Sequence, residues 1–494
     1  AIARTRLGED YKVVALLGDG SLTGGLAYEG LSMAGQSGEP LVVILNDNGM
    51  SIDASMGGVA QHLAKQRLKP QYLQAREIYR KIMNATPPGR VLHRVFHRIK
   101  DAIKTSLLPC SMFEDMGFQY MGPVDGHDVK TLTRLLDYAS KVNGPVLLHV
   151  KTIKGKGYPP AEKNPDAFHG IGPFHKETGA LITSKTAETF SSRFGHDLTE
   201  LAKQDQRICA ITAAMTSGTG LAAFSKAFPD RFFDVGIAEE HAVTMAAGMA
   251  KQGLIPVFAV YSTFFQRSYD MLMHDIAIDH IHAVFGIDRA GLVGDDGETH
   301  HGLFDLGFLQ TIPGITVLCP ASLDELSDML ERAVHRMDGP VAVRYPRGGE
   351  NFYSENHSDA PDYLLKDGTD LTIVTFGTLT GNCLAVADRL QQEGISAQVL
   401  KLNQLVPLPT ELALDCLSKT KRLLVAEECI TQGSPGQGIL AAAAQSGLTL
   451  EGVAVCSCGK DFVPHGTIPQ LRSLCGLDID SLYKKAKEVM EHGR

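Results

Sequence analysis

The chain has 494 residues, 44% hydrophobic and 21% charged, with a formal net charge of -9. This length exceeds what one hydrophobic core supports, so a single small module is excluded and two or three domains are predicted. The composition excludes a disordered chain, and the negative charge opposes nucleic acid as a partner. The nine cysteines form no CxxC pair, which favours a reducing cytoplasm over a disulfide framework or structural zinc. No apolar run has the length of a membrane-spanning helix.

Short apolar runs rich in β-branched residues recur between longer helical stretches. They are continuous rather than alternating, as is typical of strands buried on both faces. The runs lie at residues 13–17, 41–45, 146–150, 255–260, 283–287, 315–318, 341–343, 371–376, 397–400, 423–426 and 452–456. This pattern predicts an α/β protein with mainly parallel sheets.

Two stretches interrupt this pattern and predict domain boundaries. Residues 158–184 contain several prolines and glycines, which break helices and strands alike, and residues 348–368 are similarly polar and aperiodic. Three domains are therefore expected at 1–175, 186–350 and 366–494. Because the chain begins at Ala1, just before a predicted strand, its native N-terminus is expected to be absent, which leaves a plastid location open.

A basic segment runs from Lys65 to Lys104. It contains eleven Lys or Arg residues against only Glu77 and Asp101. One interpretation is a solvated helical face. The other is a mobile cover that attracts anions to a neighbouring site.

The first candidate site follows the strand at 13–17. Gly18, Asp19, Gly20 and Ser21 lead into a helix predicted to start near Thr23. Glycines allow close approach of the backbone to an anion, and a helix N-terminus offers unpaired amides. The turn therefore predicts a phosphate cradle, with a plain strand-to-helix turn as the alternative.

A second polar turn, Asn46 to Met50, follows the next strand, and the ends of parallel strands share one sheet edge. The Asp19 carboxylate, the Asn48 amide oxygen and a nearby main-chain carbonyl form an oxygen set that suits Mg²⁺ better than zinc. A GDG turn followed at this distance by an NDN turn is typical of enzymes that bind thiamine diphosphate.

Such enzymes need a carboxylate for the aminopyrimidine ring of the cofactor. Glu239 follows the strand-like residues 232–235 and opens a helix. A carboxylate hydrogen-bonded to a nitrogen of the aminopyrimidine ring favours the tautomer that generates the reactive carbanion of the cofactor. Helix capping is the alternative role for Glu239.

Longer motifs resemble the 1-deoxy-D-xylulose-5-phosphate synthase family over the whole chain. They are Gly122 to Asp128, Lys154 to Tyr158, Val235 to Thr244, Tyr261 to Arg267, Ile287 to His300 and Arg344 to Gly348. The resemblance implies three doubly wound, mainly parallel-sheet domains of the transketolase-like type. The first would bind the diphosphate with Mg²⁺, the second would bind the pyrimidine ring, and the third would be the transketolase C-terminal-like domain. The N-terminal part of the first domain is expected to be missing, because the family has more chain before the GDG strand.

The resemblance also assigns site residues. Metal ligands fall on Asp19, Asn48 and the Met50 carbonyl. Cofactor contacts fall on Asp19, Gly20, Ser21, Asn48, Lys154, Glu239 and Phe264. Substrate contacts fall on His169, Tyr261, Arg289, Asp296, His300 and Arg347, with Glu239 and His300 catalytic.

Residue chemistry supports several of these roles and leaves alternatives. Arg289 and Arg347 offer the planar bidentate donors that a phosphate prefers, but either could instead form a structural salt bridge. The His300 imidazole suits proton transfer, with a satisfied polar residue as the alternative. His169 could simply pack in the linker. Residues 433–438 are interpreted as a tight turn before a helix rather than as a phosphate loop.

The implied activity is that of a thiamine diphosphate-dependent transferase of the transketolase and transaldolase class. It would condense pyruvate, with decarboxylation, and D-glyceraldehyde 3-phosphate to 1-deoxy-D-xylulose 5-phosphate, a precursor for isoprenoids, thiamine and pyridoxal. A homodimer is expected by resemblance. The alternatives are transketolase-type ketol transfer, or a catalytically silent cofactor-binding fragment.

Overall fold

The computed structural model describes residues 1–49, 111–182, 187–294 and 296–491. Met50 and the basic segment Lys65 to Lys104 lie outside the described residues, so the predictions made for them stay predictions. The chain divides into two compact units. The first comprises residues 1–184 with 236–238, and the second comprises 185–235 with 239–494.

The first unit contains a four-stranded parallel sheet in the order β1-β2-β4-β3. Its strands are β1 Val14–Gly18, β2 Val42–Asp47, β3 Gln119–Asp125 and β4 Val146–Lys151. Its described helices are Ile2–Arg6, Gly25–Ser37, Ser111–Asp115, Val129–Ala139 and Pro159–Lys163, with a 3-10 turn at Asp19–Thr23. The Ile237 amide, also in this unit, donates to Thr23 Oγ1 at 2.8 Å.

Two predictions for the first unit were wrong. In β1, Val14 and Leu16 are 52% and 70% exposed, so this strand is not buried on both faces. The two residues are two positions apart, so they point to the same face of the sheet, which the described residues leave largely uncovered. The 158–184 stretch is also not free of secondary structure. It contains the helix Pro159–Lys163, which the prolines permit because they occupy its first turn.

The second unit contains two sheets. The larger has seven strands in the order β14-β9-β10-β8-β7-β5-β6, and the smaller has five in the order β11-β13-β12-β15-β16. The strands are β5 Ile208–Thr212, β6 Phe232–Asp234, β7 Ile255–Tyr261, β8 Ala283–Asp288, β9 Thr316–Leu318, β10 Pro340–Arg344, β11 Asp362–Lys366, β12 Leu371–Phe376, β13 Ala397–Leu402, β14 Gln404–Val406, β15 Arg422–Ala426 and β16 Gly452–Cys456. All pairings are parallel except β11 with β13 and β14 with β9.

Helices cover the faces of these sheets. They are Phe190–Gln204, Ala222–Ala227, Glu239–Lys251, Ser262–Phe265, Tyr269–Met271, Asp305–Leu309, Leu323–His335, Leu379–Gln392, Glu411–Thr420, Pro435–Gln445, Ile468–Leu474 and Ile479–Glu491, with a π-helical turn at Leu272–Ala277. The continuous apolar strands are fully buried beneath them, as in β7, β8 and β12. This burial on both faces is the reason that the pattern predicted parallel sheets correctly.

The antiparallel strand β14 connects the two sheets of the second unit. It follows β13 of the smaller sheet in the chain but pairs with β9 at the end of the larger one, with Gln404 opposite Leu318. This pairing joins the two sheets within one compact unit.

Candidate functional site

In the first unit, Asp19 joins the turns that follow β1 and β2. The two strands pair in parallel with Gly18 opposite Asn46, so both turns lie at one sheet edge. The Asp19 side chain, only 4% exposed, accepts hydrogen bonds from the amides of Asn48 at 3.4 Å and Gly49 at 3.0 Å. Carboxylate oxygens are the kind of ligand that Mg²⁺ prefers. The structure therefore brings the two predicted oxygen-ligand turns together.

The predicted phosphate turn has a different local form. Residues Asp19–Thr23 close into a 3-10 turn, and the α-helix begins at Gly25, two residues after the predicted start near Thr23. The reason is that Gly24 is extended and separates the turn from the helix. Gly20 is buried and Ser21 is exposed. Thr23 Oγ1 donates to the Gly20 carbonyl at 2.7 Å, which fixes the turn.

Lys154 and His169, predicted to contact cofactor and substrate respectively, contact each other. Lys154 Nζ lies 2.8 Å from Nδ1 of His169. Lys154 follows β4, the strand next to β2, so it leaves the sheet at the same edge as Asn48. The packing role considered for His169 belongs instead to Phe168, which contacts the rings of Tyr158 and Phe174, whereas His169 is exposed.

In the second unit, Glu239 opens the helix Glu239–Lys251 and is 2% exposed. Its Oε2 lies 2.7 Å from Nη1 of Arg267, whose Nη2 lies 3.1 Å from Oε1 of Glu240. Burial raises the pKa of Glu239, and the Arg267 charge opposes that rise. Sequence reasoning gave Arg267 no role, although its position in the Tyr261 to Arg267 motif was a signal.

Four predicted residues of the second unit form a row of rings and charge. The Arg289 guanidinium lies over the Tyr261 ring at 3.7 Å, and Tyr261 stacks on Phe264 with ring centroids 5.8 Å apart. The His300 ring meets Phe264 edge-on at 5.4 Å. The row offers an aromatic surface with a cationic group at one end and an imidazole at the other.

Arg289 is held in an uncommon backbone conformation. Its φ is +59°, a region that residues other than glycine adopt at a cost of about 1–3 kcal/mol, often at functional sites. Its Nη1 donates to the Gly218 carbonyl at 2.9 Å and lies 3.4 Å from Asp288. Asp288 is fully buried, and this burial raises its pKa to about 6. Burial likewise raises the pKa of Tyr261 to about 12, so its hydroxyl stays protonated at neutral pH.

Asp296 and Arg347 form an ion pair. Arg347 Nη1 lies 2.8 Å from Asp296 Oδ2 and also donates to the Val293 carbonyl at 2.9 Å. Both side chains are about two-fifths exposed, at 38% and 42%. The salt bridge considered as the alternative role for Arg347 is present. The Arg347 side chain is also partly exposed, so other N–H groups of its guanidinium can reach a ligand.

The turn at residues 433–438 is filled by a side chain of the chain itself. The Gly436 amide at the start of the helix Pro435–Gln445 donates to Oε2 of the buried Glu427 at 3.0 Å. Because this carboxylate takes the position that an anion would occupy, the tight-turn interpretation fits the contacts.

Family models match the chain in three consecutive regions. Residues 1–152 match 1-deoxy-D-xylulose-5-phosphate synthase, residues 188–349 match the transketolase pyrimidine-binding domain, and residues 363–482 match the transketolase C-terminal domain. A 1-deoxy-D-xylulose-5-phosphate synthase of Heliobacterium modesticaldum is 43% identical over 100% of the chain and 77% of the relative's length. The chain belongs to the 1-deoxy-D-xylulose-5-phosphate synthase family.

A further family member and two transketolase structures are also similar to the chain. The family member from Clostridium kluyveri is 44% identical over 99% of the chain and 79% of its own length. A structure described as a split-gene transketolase, an inactive beta4 tetramer, covers 62% of the chain at 26% identity with a TM-score of 0.56. A Campylobacter jejuni transketolase covers 96% at 17% identity and a TM-score of 0.51, which shows the shared fold alone.

Family membership confirms the predicted α/β fold with three domains and the resemblance on which the site residues rest. Transketolase-type domains are thiamine diphosphate-binding, so the chain carries the domains for that cofactor. The predicted domain boundaries and the individual roles of the site residues stay predictions. Within the described ranges, no helix has the length and apolar character needed to cross a membrane.

Proposed function

We propose that the chain condenses pyruvate with D-glyceraldehyde 3-phosphate. Pyruvate loses carbon dioxide, and its remaining two-carbon unit forms a bond to the aldehyde carbon, giving 1-deoxy-D-xylulose 5-phosphate. The observation that carries this proposal is the 43% identity to a synthase of this name over the whole chain. A match restricted to one domain would support only a shared cofactor.

The contacts within the first unit support thiamine diphosphate with Mg²⁺. Asp19, Asn48 and the Met50 carbonyl would hold the metal, while Gly20, Ser21 and Lys154 would hold the diphosphate. Asp19 fits this role because it is buried, anionic and fixed by two amides from the turn that carries Asn48. When bound, the cofactor supplies the carbanion that attacks a carbonyl carbon and stabilises the charge left after decarboxylation.

In the second unit, Glu239 and Phe264 would hold the pyrimidine end of the cofactor. Burial of the Glu239 carboxyl raises its pKa, and a carboxyl at this position would share a proton with a ring nitrogen. The Arg267 charge opposes the rise in pKa. Phe264 offers a flat apolar face beside His300.

The remaining predicted residues would recognise the substrates. Arg289 and Arg347 would bind the phosphate of the aldehyde, because each retains guanidinium donors. His300 and Tyr261 would orient carboxylate and carbonyl oxygens, and His300 could transfer a proton. Asp296 holds Arg347 in place, and His169 would contribute a substrate contact.

The decisive experiment combines binding and turnover on the purified chain. Calorimetry should detect binding of thiamine diphosphate in the presence of Mg²⁺, and Asp19→Asn should weaken it. Product formation is then measured by mass spectrometry with pyruvate and glyceraldehyde 3-phosphate, and with ketose phosphate donors as the comparison. Turnover only with the ketose donors would indicate a transketolase, and binding without any turnover would indicate a silent fragment.

We also propose that the chain acts as a homodimer, which the family resemblance supports. Light scattering on the cofactor-loaded chain should give twice the 53.3 kDa mass of the polypeptide. A monomeric mass for an active preparation would contradict this.

A further inference from the structure

His301, next to the predicted catalytic His300, connects the loop that follows β8 to the C-terminal domain. It is buried, and its Nδ1 accepts a hydrogen bond from the Val293 amide at 3.1 Å. Its Nε2 lies 3.1 Å from the Pro464 carbonyl. An amide can only donate and a carbonyl can only accept, so the ring is neutral with its proton on Nε2. The imidazole therefore acts as a bridge between two backbone groups.

The Val293 backbone is held at both its amide and its carbonyl. His301 accepts from its amide, and its carbonyl accepts from Arg347 Nη1 at 2.9 Å. Arg347 in turn pairs with Asp296. Any movement of the Val293 backbone would therefore move the guanidinium that we assign to phosphate binding.

The C-terminal domain approaches this loop closely at glycines. A methyl group added to Gly297 would lie 3.1 Å from the His465 Cβ, and one added to Gly294 would lie 3.3 Å from the Gly466 carbonyl oxygen. Both glycines have positive φ. The segment Pro464 to Gly466 thus lies directly against the loop. The Pro464 carbonyl is hydrogen-bonded to His301, which in turn binds the Val293 amide.

We infer that His301 is a positioning residue through which the C-terminal domain sets the location of Arg347. This inference rests on the proposed function, because it gives Arg347 the phosphate of the aldehyde. Pyruvate carries no phosphate, so its binding should depend less on the bridge. The C-terminal domain then contributes to substrate affinity without supplying a residue that touches substrate.

Four single variants of the full chain test the inference. His301→Ala removes both bonds. His301→Asn places a carbonyl oxygen near the position of Nδ1, so it can keep the bond from Val293, whereas His301→Gln places an amide nearer Nε2 and keeps the bond to Pro464. His282→Ala is the matched control. The His282 ring is partly buried and also contacts two backbone carbonyls, those of Gly339 and Val334. His282 directly precedes β8, at the opposite end of that strand from the loop that His301 contacts.

The first measurement is hydrogen exchange of the peptide that contains Val293. Exchange should accelerate in His301→Ala and His301→Gln, remain close to wild type in His301→Asn, and be unchanged in His282→Ala. Unchanged exchange in His301→Ala would overturn the inference whether or not the chain is active.

The second measurement is the KM for each substrate. Loss of the bridge should raise the KM for glyceraldehyde 3-phosphate roughly fivefold in His301→Ala, which corresponds to about 1 kcal/mol. The KM for pyruvate should change by less than about twofold, and His301→Asn and His301→Gln, each of which keeps only one end of the bridge, should restore no more than part of the loss. Equal changes in both KM values, or no change, would overturn the inference.

Arg347→Ala separates this inference from the proposed function. If Arg347→Ala leaves the KM for the phosphorylated aldehyde unchanged, the proposed function of this site fails. If Arg347→Ala raises that KM and His301→Ala does not, only the positioning role of His301 fails.

Discussion

Arg267 Nη1 lies 2.7 Å from Oε2 of the buried Glu239, and the same guanidinium reaches Glu240 through Nη2 at 3.1 Å. One arginine therefore balances two adjacent carboxylates at the start of one helix. Burial and the Glu240 charge raise the pKa of Glu239, whereas Arg267 lowers it. The ionisation of the proposed cofactor-activating group is set by these opposing effects.

Arg267→Leu should raise the pKa of Glu239 further. The pH profile of kcat/KM should then have its acidic limb displaced to higher pH, because the carboxyl holds its proton longer when the counter-charge is gone. Lys251→Met, which removes an exposed charge from the other end of the same helix, should leave the limb in place. A limb that does not move in Arg267→Leu would mean that Glu239 does not determine it.

Glu239→Gln should lower kcat by roughly 10²- to 10³-fold, the range found when one preorganised polar group is lost from an active site. The Gln amide has about the size of the Glu side chain, but it cannot share an ionisable proton with the ring nitrogen of the cofactor. The measurement is product formation at saturating cofactor and substrates. Glu240→Gln, next in the chain and also paired with Arg267, should lose less than about tenfold. Near-normal turnover of Glu239→Gln would remove Glu239 from catalysis.

Glu427→Gln should change how stability depends on pH. Burial raises the pKa of Glu427 from 4.5 to about 7. Between these values the folded state binds more protons than the unfolded state, so the free energy of unfolding falls as pH rises through this window. The wild-type chain should lose up to about 3 kcal/mol from this group between pH 5 and 8, and Glu427→Gln should not.

Urea denaturation at several pH values measures this effect. Glu411→Gln, at an exposed helix start, is the control and should follow the wild type. Parallel curves for the wild type and Glu427→Gln would contradict the raised pKa.

Lys401→Met should destabilise the second unit by about 3–5 kcal/mol, because it leaves a buried charge without its partner. Lys401 Nζ lies 2.6 Å from Glu325 Oε1, and both side chains are 0% exposed. Lys401 lies on β13, whereas Glu325 lies on the helix Leu323–His335, so the pair joins the two sheet layers. Chemical denaturation should report this loss.

The control for Lys401→Met is Lys366→Met. Its pair with Asp388 is 2.6 Å long but more exposed, so the loss should be below about 1 kcal/mol. If the double variant Lys401→Met with Glu325→Leu is as unstable as Lys401→Met alone, the uncompensated charge is not the cause.

Local patterns predicted several fully buried strands but not all of them. The runs that became β7 and β8 are almost wholly apolar, because helices cover both sheet faces. The strand β5 is also buried at every position, yet the pattern missed it. The same pattern failed for β1, since the sequence of a strand does not reveal which of its faces another element covers. It also missed β14, a three-residue strand that is defined only by pairing with β9.

The motifs likewise predicted which residues cluster, but not every contact that orients them. The sequence named Asp19 and Asn48 together because turns after adjacent parallel strands share an edge, and the contacts agree. Arg267 is the last residue of one recognised motif and His301 directly follows another, yet their partners are distant in the chain or belong to another domain.

The sequence by itself determined the family, the α/β class and the residues with the chemistry for the proposed reaction, because these follow from residue type, periodicity and order along the chain. Only the tertiary structure decided that Arg267 balances Glu239, that Glu427 fills the 433–438 turn, and that His301 bridges Val293 to Pro464. Those relationships depend on burial and on distances between atoms that chain order does not encode.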